Sequence, residues 1–374
     1  MPNITKKYDF LIVGAGFSGA VCAERLATNG YSVLLIDQRP HFGGNAFDQL
    51  DEYGVLVHPY GPHIFHTNSE RILRYLSNFT DWKFYEHRVL ADIDGKRLPI
   101  PINRTTINKL YNLDLTEKEV EQFLESKKIH IDQVNTSEDA VLSSVGEDLC
   151  DKFFRGYTKK QWSLDLSELS ASVASRIPTR FNDDDRYFTD RYQLIPREGY
   201  TKLFSRMLEN EKIETKLSTS FDQIQQNITW RHLIYTGPID EYFDYKFGRL
   251  EYRSLRFEHS HYTDIEKYQE VGTINYPNEE LKYTRVTEFK HITGQKCKGT
   301  SIVKEFPQAD GDPYYPVPRK RNREIYSMYE ELASIQSDVT FVGRLAEYRY
   351  YNMDQAVGSA LSAVKKILEK IHKN

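Results

Sequence analysis

The chain has 374 residues, of which 39% are hydrophobic and 28% charged; at roughly 150 residues per domain it exceeds one small module, and the balance excludes collagen-like, low-complexity and largely disordered classes. Its 50 basic and 54 acidic side chains leave a formal charge of −4, so the molecule as a whole does not present the basic field of a nucleic-acid-binding protein. Cys22, Cys150 and Cys297 form no CxxC pair, no apolar run reaches the ~18 residues of a membrane span, and no signal core precedes the first strand, so a reducing, cytoplasmic setting is expected.

Tyr8-Asp-Phe-Leu-Ile-Val13 reads as a short apolar strand running into Gly14-Ala-Gly16-Phe17-Ser18-Gly19; Ala20, Val21, Ala23, Leu26 and Ala27 continue it as a helix that Gly30 ends. A second strand, Ser32 to Ile36, closes on Asp37. This is the strand, glycine turn, helix, strand and acid of a dinucleotide-binding unit. Gly14 permits the tight turn, Gly16 lets a pyrophosphate approach the backbone, and Gly19 lets the helix pack on the strand. The helix start, with Phe17 and Ser18, offers free N–H groups to the anion, and Asp37 is placed to accept ribose hydroxyls. The glycine fingerprint alone does not separate FAD from NAD. The stretch from Arg39 to Gly43, Gly44 and Asn45 resembles the extended phosphate motif of glutathione-reductase-like and amine-oxidase-like FAD proteins, as do Leu233 to Pro238 and Thr340-Phe-Val-Gly343-Arg344.

Between these pieces the chain reads as insertion. Residues from Thr106 to about Phe154 carry helical periodicity, with Thr116 and Glu119 as a capping box. Gln193 to Met207 returns to the dinucleotide unit, and Tyr242 to Glu305 reads as an antiparallel sheet rich in Tyr, Phe, Val and Thr. Asp354 to Ile367 is an apolar-periodic helix whose start, including Asp354, is expected over the cofactor. The expected fold is α/β: a discontinuous Rossmann-like FAD-binding domain (1–90, 193–240 and 337–374), an inserted helical domain (100–180) and an antiparallel β-sheet domain (181–192 and 241–336).

Several strings closely resemble the bacterial UDP-galactopyranose mutase family, nearly end to end. They are His58-Pro-Tyr-Gly-Pro-His63-Ile-Phe-His66-Thr67, Phe153 to Trp162, Arg176 to Asn182, Tyr283-Thr-Arg285, Pro313 to Pro316 and Gly343 to Tyr350. The resemblance implies an isomerase that interconverts the pyranose and furanose rings of UDP-galactose with FAD, active when the flavin is reduced and without net redox change. By the same resemblance, flavin N5 would attack the anomeric carbon, UDP would leave, and the sugar ring would open and reclose through another hydroxyl. It implies Arg176 and Arg285 on the diphosphate, where the fixed guanidinium fork suits phosphate oxygens. Tyr157 and Trp162, with Phe153 and Phe154, fall at the uridine end, although Phe153 at helical spacing is equally a core residue. Tyr187, Tyr315 and Tyr350 give neutral donors to the phosphates, while Tyr242, Tyr245 and Tyr252 are expected to serve the sheet. Residues 163–180 match the family's mobile loop, and His63 falls beside flavin and sugar.

Three imidazoles within nine residues invite a metal site, but Pro59, Gly61 and Pro62 make the stretch irregular and no carboxylate or thiolate completes it, so no metal is expected. His87 stands where family members carry Asn or His, and Asn352 where Asp is frequent; Asn352 is therefore left out of the expected site. The resemblance leaves UDP-N-acetylgalactosamine open as a substrate and implies a homodimer. Two other readings share the fold: an amine-oxidase-type flavin oxidoreductase, and a non-enzymatic binding protein like the Rab GDP-dissociation inhibitors.

Overall fold

The computed structural model describes residues 6–224 and 228–373. The first strand runs Lys6–Val13 at the centre of a five-stranded sheet, between Val33–Ile36 and Ile228–Tyr235. Ile213–Lys216 and Val339–Phe341 form the edges, and every pairing in the sheet is parallel. Parallel sheets need both faces covered. On one face Phe10, Ile12, Val33 and Leu35 bury against the helices Phe17–Thr28, Tyr200–Met207 and Met353–Lys373. Ala20, Ala23 and Ala360 are fully buried there, small enough for the first and last helices to approach closely. On the other face Leu11, Leu34, Ile36 and Leu233 pack against Phe221, Trp230, Tyr242 and Phe341. Each fully buried Leu, Ile or Phe stabilises this core by about 1.5–3 kcal/mol.

The second sheet has seven strands in the order Tyr315–Pro316, Tyr252–Tyr262, Thr300–Gln308, Arg285–Glu288, Thr273–Asn275, Val89–Ile93, Lys96–Ile100. It differs from the antiparallel sheet expected of 181–192 and 241–336 in two ways. Val89–Ile100 joins it as a hairpin whose Asp94-Gly95 turn has φ of 51° and 81°, the left-handed pair that a tight hairpin demands. Thr273–Asn275 then pairs with Val89–Ile93 in parallel. Residue Tyr192 joins neither large sheet: Tyr192–Pro196 pairs with Phe65–Thr67 and Trp82–Phe84. The helix Lys320–Ser334 packs through Tyr329 on Ile239 and Leu250, beside the parallel sheet.

Arg104–Tyr111, Glu117–Lys127 and Ser137–Val145 each begin with a capping box, at Asn103, Thr116 and Thr136, worth about 1 kcal/mol apiece. Their apolar faces, Ile107, Val120, Leu124, Val141 and Val145, close on Val89, Ala91 and Leu98 of the second sheet. That packing holds the following helix, Gly156–Trp162, beside the strand that begins with Arg285. Among the described residues no helix is long and apolar enough to cross a membrane.

Candidate functional site

The glycine turn is built from backbone contacts that no side chain could share. Gly14 has φ of +100°, and a Cβ there would lie 2.0 Å from Thr236 Oγ1; a Cβ on Gly19 would lie 1.8 Å from the Gly14 carbonyl oxygen. Gly44, at φ +56°, faces Gly16 so closely that its Cβ would stand 3.0 Å from the Gly16 Cα. No side chain caps the Phe17–Thr28 helix, so its first N–H groups face the space above the turn. Asp37 is fixed by the N–H groups of Ala15 (2.7 Å) and Arg39 (2.8 Å) and retains lone pairs for further donors. The Gly343 turn closes the other side: a Cβ on it would lie 2.6 Å from Ser18 Oγ, and its N–H donates to Glu347 at 2.7 Å.

These pieces enclose a cavity of about 1070 Å³. Of the residues expected at the cofactor, Gly14, Gly16, Phe17, Ser18, Asp37, Gly43, Gly44, Asn45, His63, Gly343 and Arg344 line it. Gly19 does not; it lies beneath the turn and acts through packing. Asp354 is also off the wall, because its carboxylate accepts from Thr67 Oγ1 (2.8 Å) and the Gln355 N–H (2.7 Å). Asn352 and Met353 line the cavity instead. Tyr242 and Tyr245 also line the cavity, near Asp37 with Phe221, Trp230 and Tyr235; of the three tyrosines assigned to the sheet, only Tyr252 lies in a strand.

His63 stands on the cavity wall with Nδ1 2.9 Å from the Gly61 carbonyl, and its own N–H donates to His58 Nδ1 at 3.0 Å. Burial, with His58 next, lowers its pKa to about 3. The ring is therefore neutral at ordinary pH, with the proton on Nδ1 and a free lone pair on Nε2. The three imidazoles do not converge: His58 is buried, and His66 pairs with Asp190 at 2.6 Å while stacking on Phe188. His87 is buried against Tyr85, and burial with the Arg285 charge lowers it to about 3.

Beyond His63 and Arg344 lies a cluster of arginines and rings drawn from distant segments. Arg285 begins its strand, donates to the Tyr157 hydroxyl, and holds Nε 3.6 Å from Glu305 Oε2. Glu305 is almost fully buried directly across the ladder from Arg285. Its Oε1 has no hydrogen-bond partner among the described residues, and burial raises its pKa against the pull of Arg285. Sequence reasoning missed this carboxylate; the signal was a single acid within the apolar Ser301-Ile-Val-Lys-Glu-Phe306 strand. A Cβ on Gly61 would come within 3.3 Å of it, so Glu305 sits under the turn that presents His63.

Arg176 ends a short 3₁₀ turn in the 163–180 segment and is exposed. Its guanidinium lies 4.1 Å over the Tyr350 ring and donates to the Tyr350 carbonyl and Asn352 Oδ1. Tyr315 meets Tyr350 edge-on at 5.1 Å, Trp162 lies 6.2 Å from both, and Arg344 is 5.8 and 5.4 Å from the two rings. Tyr187 stands within electrostatic reach of both Arg285 and Arg176. Burial pushes Tyr157 up to about 12 despite Arg285, and also raises Tyr187 and Tyr315, so these phenols are neutral donors. Phe153 is core of the helical layer, and Phe154 packs half-buried against it. The π turn Asp151–Arg155 precedes Tyr157, a rare insertion that recurs at functional sites.

The chain is similar in sequence and fold to known proteins. The model of the UDP-galactopyranose mutase family matches residues 152–350, and that of NAD(P)-binding Rossmann-like domains matches 12–79. A dTDP-fucopyranose mutase of Escherichia coli is 40% identical over 366 residues, covering 95% of this chain and 97% of its own. A probable UDP-galactopyranose mutase of Klebsiella pneumoniae is 37% identical, covering 97% and 95%. In fold, a crystal structure of reduced UDP-galactopyranose mutase matches with a TM-score of 0.78 at 16% identity over 97% of this chain and 96% of that one; a putrescine oxidase matches at 0.61 and 14%, over 98% and 100%. By the family model and by these near full-length relatives, the chain belongs to the UDP-galactopyranose mutase family.

Proposed function

We propose that the protein is a FAD-dependent mutase that interconverts UDP-galactopyranose and UDP-galactofuranose without net redox change. The observation that carries this reading is the arrangement of Arg285, Arg176 and the tyrosine hydroxyls just beyond the His63 and Arg344 wall of the glycine-lined cavity. The cavity suits FAD: its volume, the Gly16 and Gly44 approach, and Asp37 match a dinucleotide. Reduced FAD, when bound, would supply a nucleophilic nitrogen to the anomeric carbon.

The chain's own residues supply the rest. Arg285, held by Tyr157 and Glu305, meets the diphosphate as a fixed fork, so its orientation is set before substrate arrives. Arg176 trades its contact on Tyr350 for the second phosphate, and the 163–180 segment excludes water as it does so. Tyr187, Tyr315 and Tyr350 add neutral hydrogen bonds without burying another charge. Neutral His63 offers Nε2 as an acceptor to a sugar hydroxyl or to the flavin. Trp162, Tyr157 and Phe154 form the apolar side toward the base.

A second substrate reading rests on a specific observation, the 40% identity to a dTDP-fucopyranose mutase. It keeps the diphosphate chemistry and changes the base, the ribose and the sugar C6. The test is to incubate dithionite-reduced, flavin-loaded protein with UDP-galactofuranose, and separately with dTDP-fucopyranose, and to resolve the nucleotide sugars chromatographically. Conversion of the first is expected; conversion of the second alone would shift the assignment to a 6-deoxyhexose, and conversion of neither would sink the mutase reading.

A further inference from the structure

The Gly156–Trp162 helix carries Tyr157 and Trp162, and it touches the Arg285 strand through a contact the reaction does not use. Thr273–Asn275 and Arg285–Glu288 are antiparallel neighbours with Asn275 opposite Arg285; residues 276–284 are the hairpin loop between them. The loop turns four carbonyls inward to one point, where the three N–H donors of Lys160 Nζ are shared among Tyr276, Asn278 (2.7 Å), Leu281 (3.0 Å) and Tyr283 (3.0 Å). Oxygens turned together repel unless a cation meets them; the Asn278 carbonyl also accepts from the Leu281 N–H at 3.4 Å. Gly156, one turn earlier on the same helix face, lies against the same loop: a Cβ there would stand 2.3 Å from the Pro277 carbonyl oxygen. Lys159 adds a looser contact to Glu279 at 3.8 Å, and the far side of the helix is fixed by Arg253 Nε on the Gln161 carbonyl at 3.0 Å.

We propose that Lys160 is a positioning residue: its ammonium, caged by the four carbonyls of the 276–284 loop, sets the distance between Tyr157 on the helix and Arg285 at the start of the strand. The lysine touches neither cavity nor cluster and acts through the Tyr157 to Arg285 bond. A single residue, Thr284, separates Tyr283 from Arg285, so a shift of the loop moves the guanidinium directly. The ammonium form is the one the cage requires; burial lowers the lysine to about 8 while Glu279 favours the charge. The inference rests on the reading of Tyr157, Trp162 and Arg285 as substrate residues.

The test uses flavin-loaded full-length protein and UDP as the probe. Lys160→Met keeps the chain length and removes every donor. It is expected to leave flavin content and spectrum at the wild-type level, to weaken UDP binding about tenfold (1.4 kcal/mol), and to raise KM for UDP-galactofuranose more than it lowers kcat. Lys160→Gln retains an amide donor and is expected to lose less; it also serves if the Met variant does not fold. A cycle with Tyr157→Phe separates positioning from general stability: losses of UDP affinity smaller than additive support the coupling. Additive losses, or wild-type UDP affinity in the folded Lys160→Met protein, overturn the lysine's role alone. Absence of UDP binding by the wild-type protein would overturn the functional reading and the inference with it.

Discussion

The cofactor cradle and the arginine and tyrosine cluster meet at His63 and Arg344, yet they are built by opposite means. The cradle is backbone: Gly14, Gly19 and Gly44 leave space that a single Cβ would fill, and most of its turn lies within one short stretch of chain. The cluster is side chain: Tyr157, Arg176, Tyr187, Arg285, Tyr315 and Tyr350 come from separate segments and are held by ring contacts and ion pairs. A backbone site fails abruptly when space is lost, whereas a side-chain site fails by degrees according to how deeply each member is buried.

The largest expected effect breaks the cradle. Gly19→Ala puts a methyl 1.8 Å from the Gly14 oxygen, so the protein should be recovered with little or no flavin and no turnover; flavin absorbance per polypeptide measures this, and full occupancy would contradict the packing account. Next, Arg285→Ala should lower kcat/KM by about 10³ with flavin retained, since an arginine aimed at phosphate is among the strongest single contacts. The same change leaves buried Glu305 unpaired and should cost about 3 kcal/mol of stability, read as a lower Tm. Arg176→Ala should lower kcat/KM similarly, but Tm should stay near wild type because Arg176 is exposed. Equal Tm losses for both arginines would erase the distinction drawn between buried and exposed members.

Tyr157→Ala should weaken UDP binding by about 1–3 kcal/mol, the value of a base on an aromatic face, while saturated turnover falls less; titration of the oxidised protein with UDP measures it. The last expected effect, on stability rather than activity and confined to acid, concerns pH. His58 and His87 are lowered by burial to about 4 and about 3, so the unfolded chain takes up their protons first. Stability is then retained above pH 6.5 and declines on acidification toward pH 4 by up to roughly 1.4 kcal/mol per pH unit for each histidine. Urea midpoints should fall over that window, less steeply in His58→Gln; a flat profile would contradict the buried neutral rings.

The contrast also explains what could be read in the sequence. The glycine turn, Asp37 and the capping box at Thr116 were legible because local spacing dictates them. Glu305 was not, because its meaning depends on lying opposite Arg285 across a ladder that no local pattern reveals. That Asn352 rather than Asp354 lines the cavity turns on a shift of two residues at the start of the Met353–Lys373 helix, where Asp354 bonds the Gln355 N–H and Thr67. The Asp94-Gly95 hairpin carried a usable turn signal, yet its recruitment into the second sheet depends on a parallel partner far along the chain. Tyr242 and Tyr245 sat in a run that reads as sheet, and only the tertiary fold brings them to the cavity wall. The 26 tyrosines thus divide among cluster, cavity wall and core rather than sharing one role.

The most direct test of the central claim is the redox state of the flavin during turnover. Under anaerobic conditions, reduced protein mixed with UDP-galactofuranose should bring the nucleotide sugars to equilibrium over many turnovers while the flavin stays fully reduced. Stoichiometric reoxidation of the flavin by the sugar nucleotide, or bleaching of oxidised flavin by it, would contradict the account and mark the protein as an oxidoreductase on the same fold.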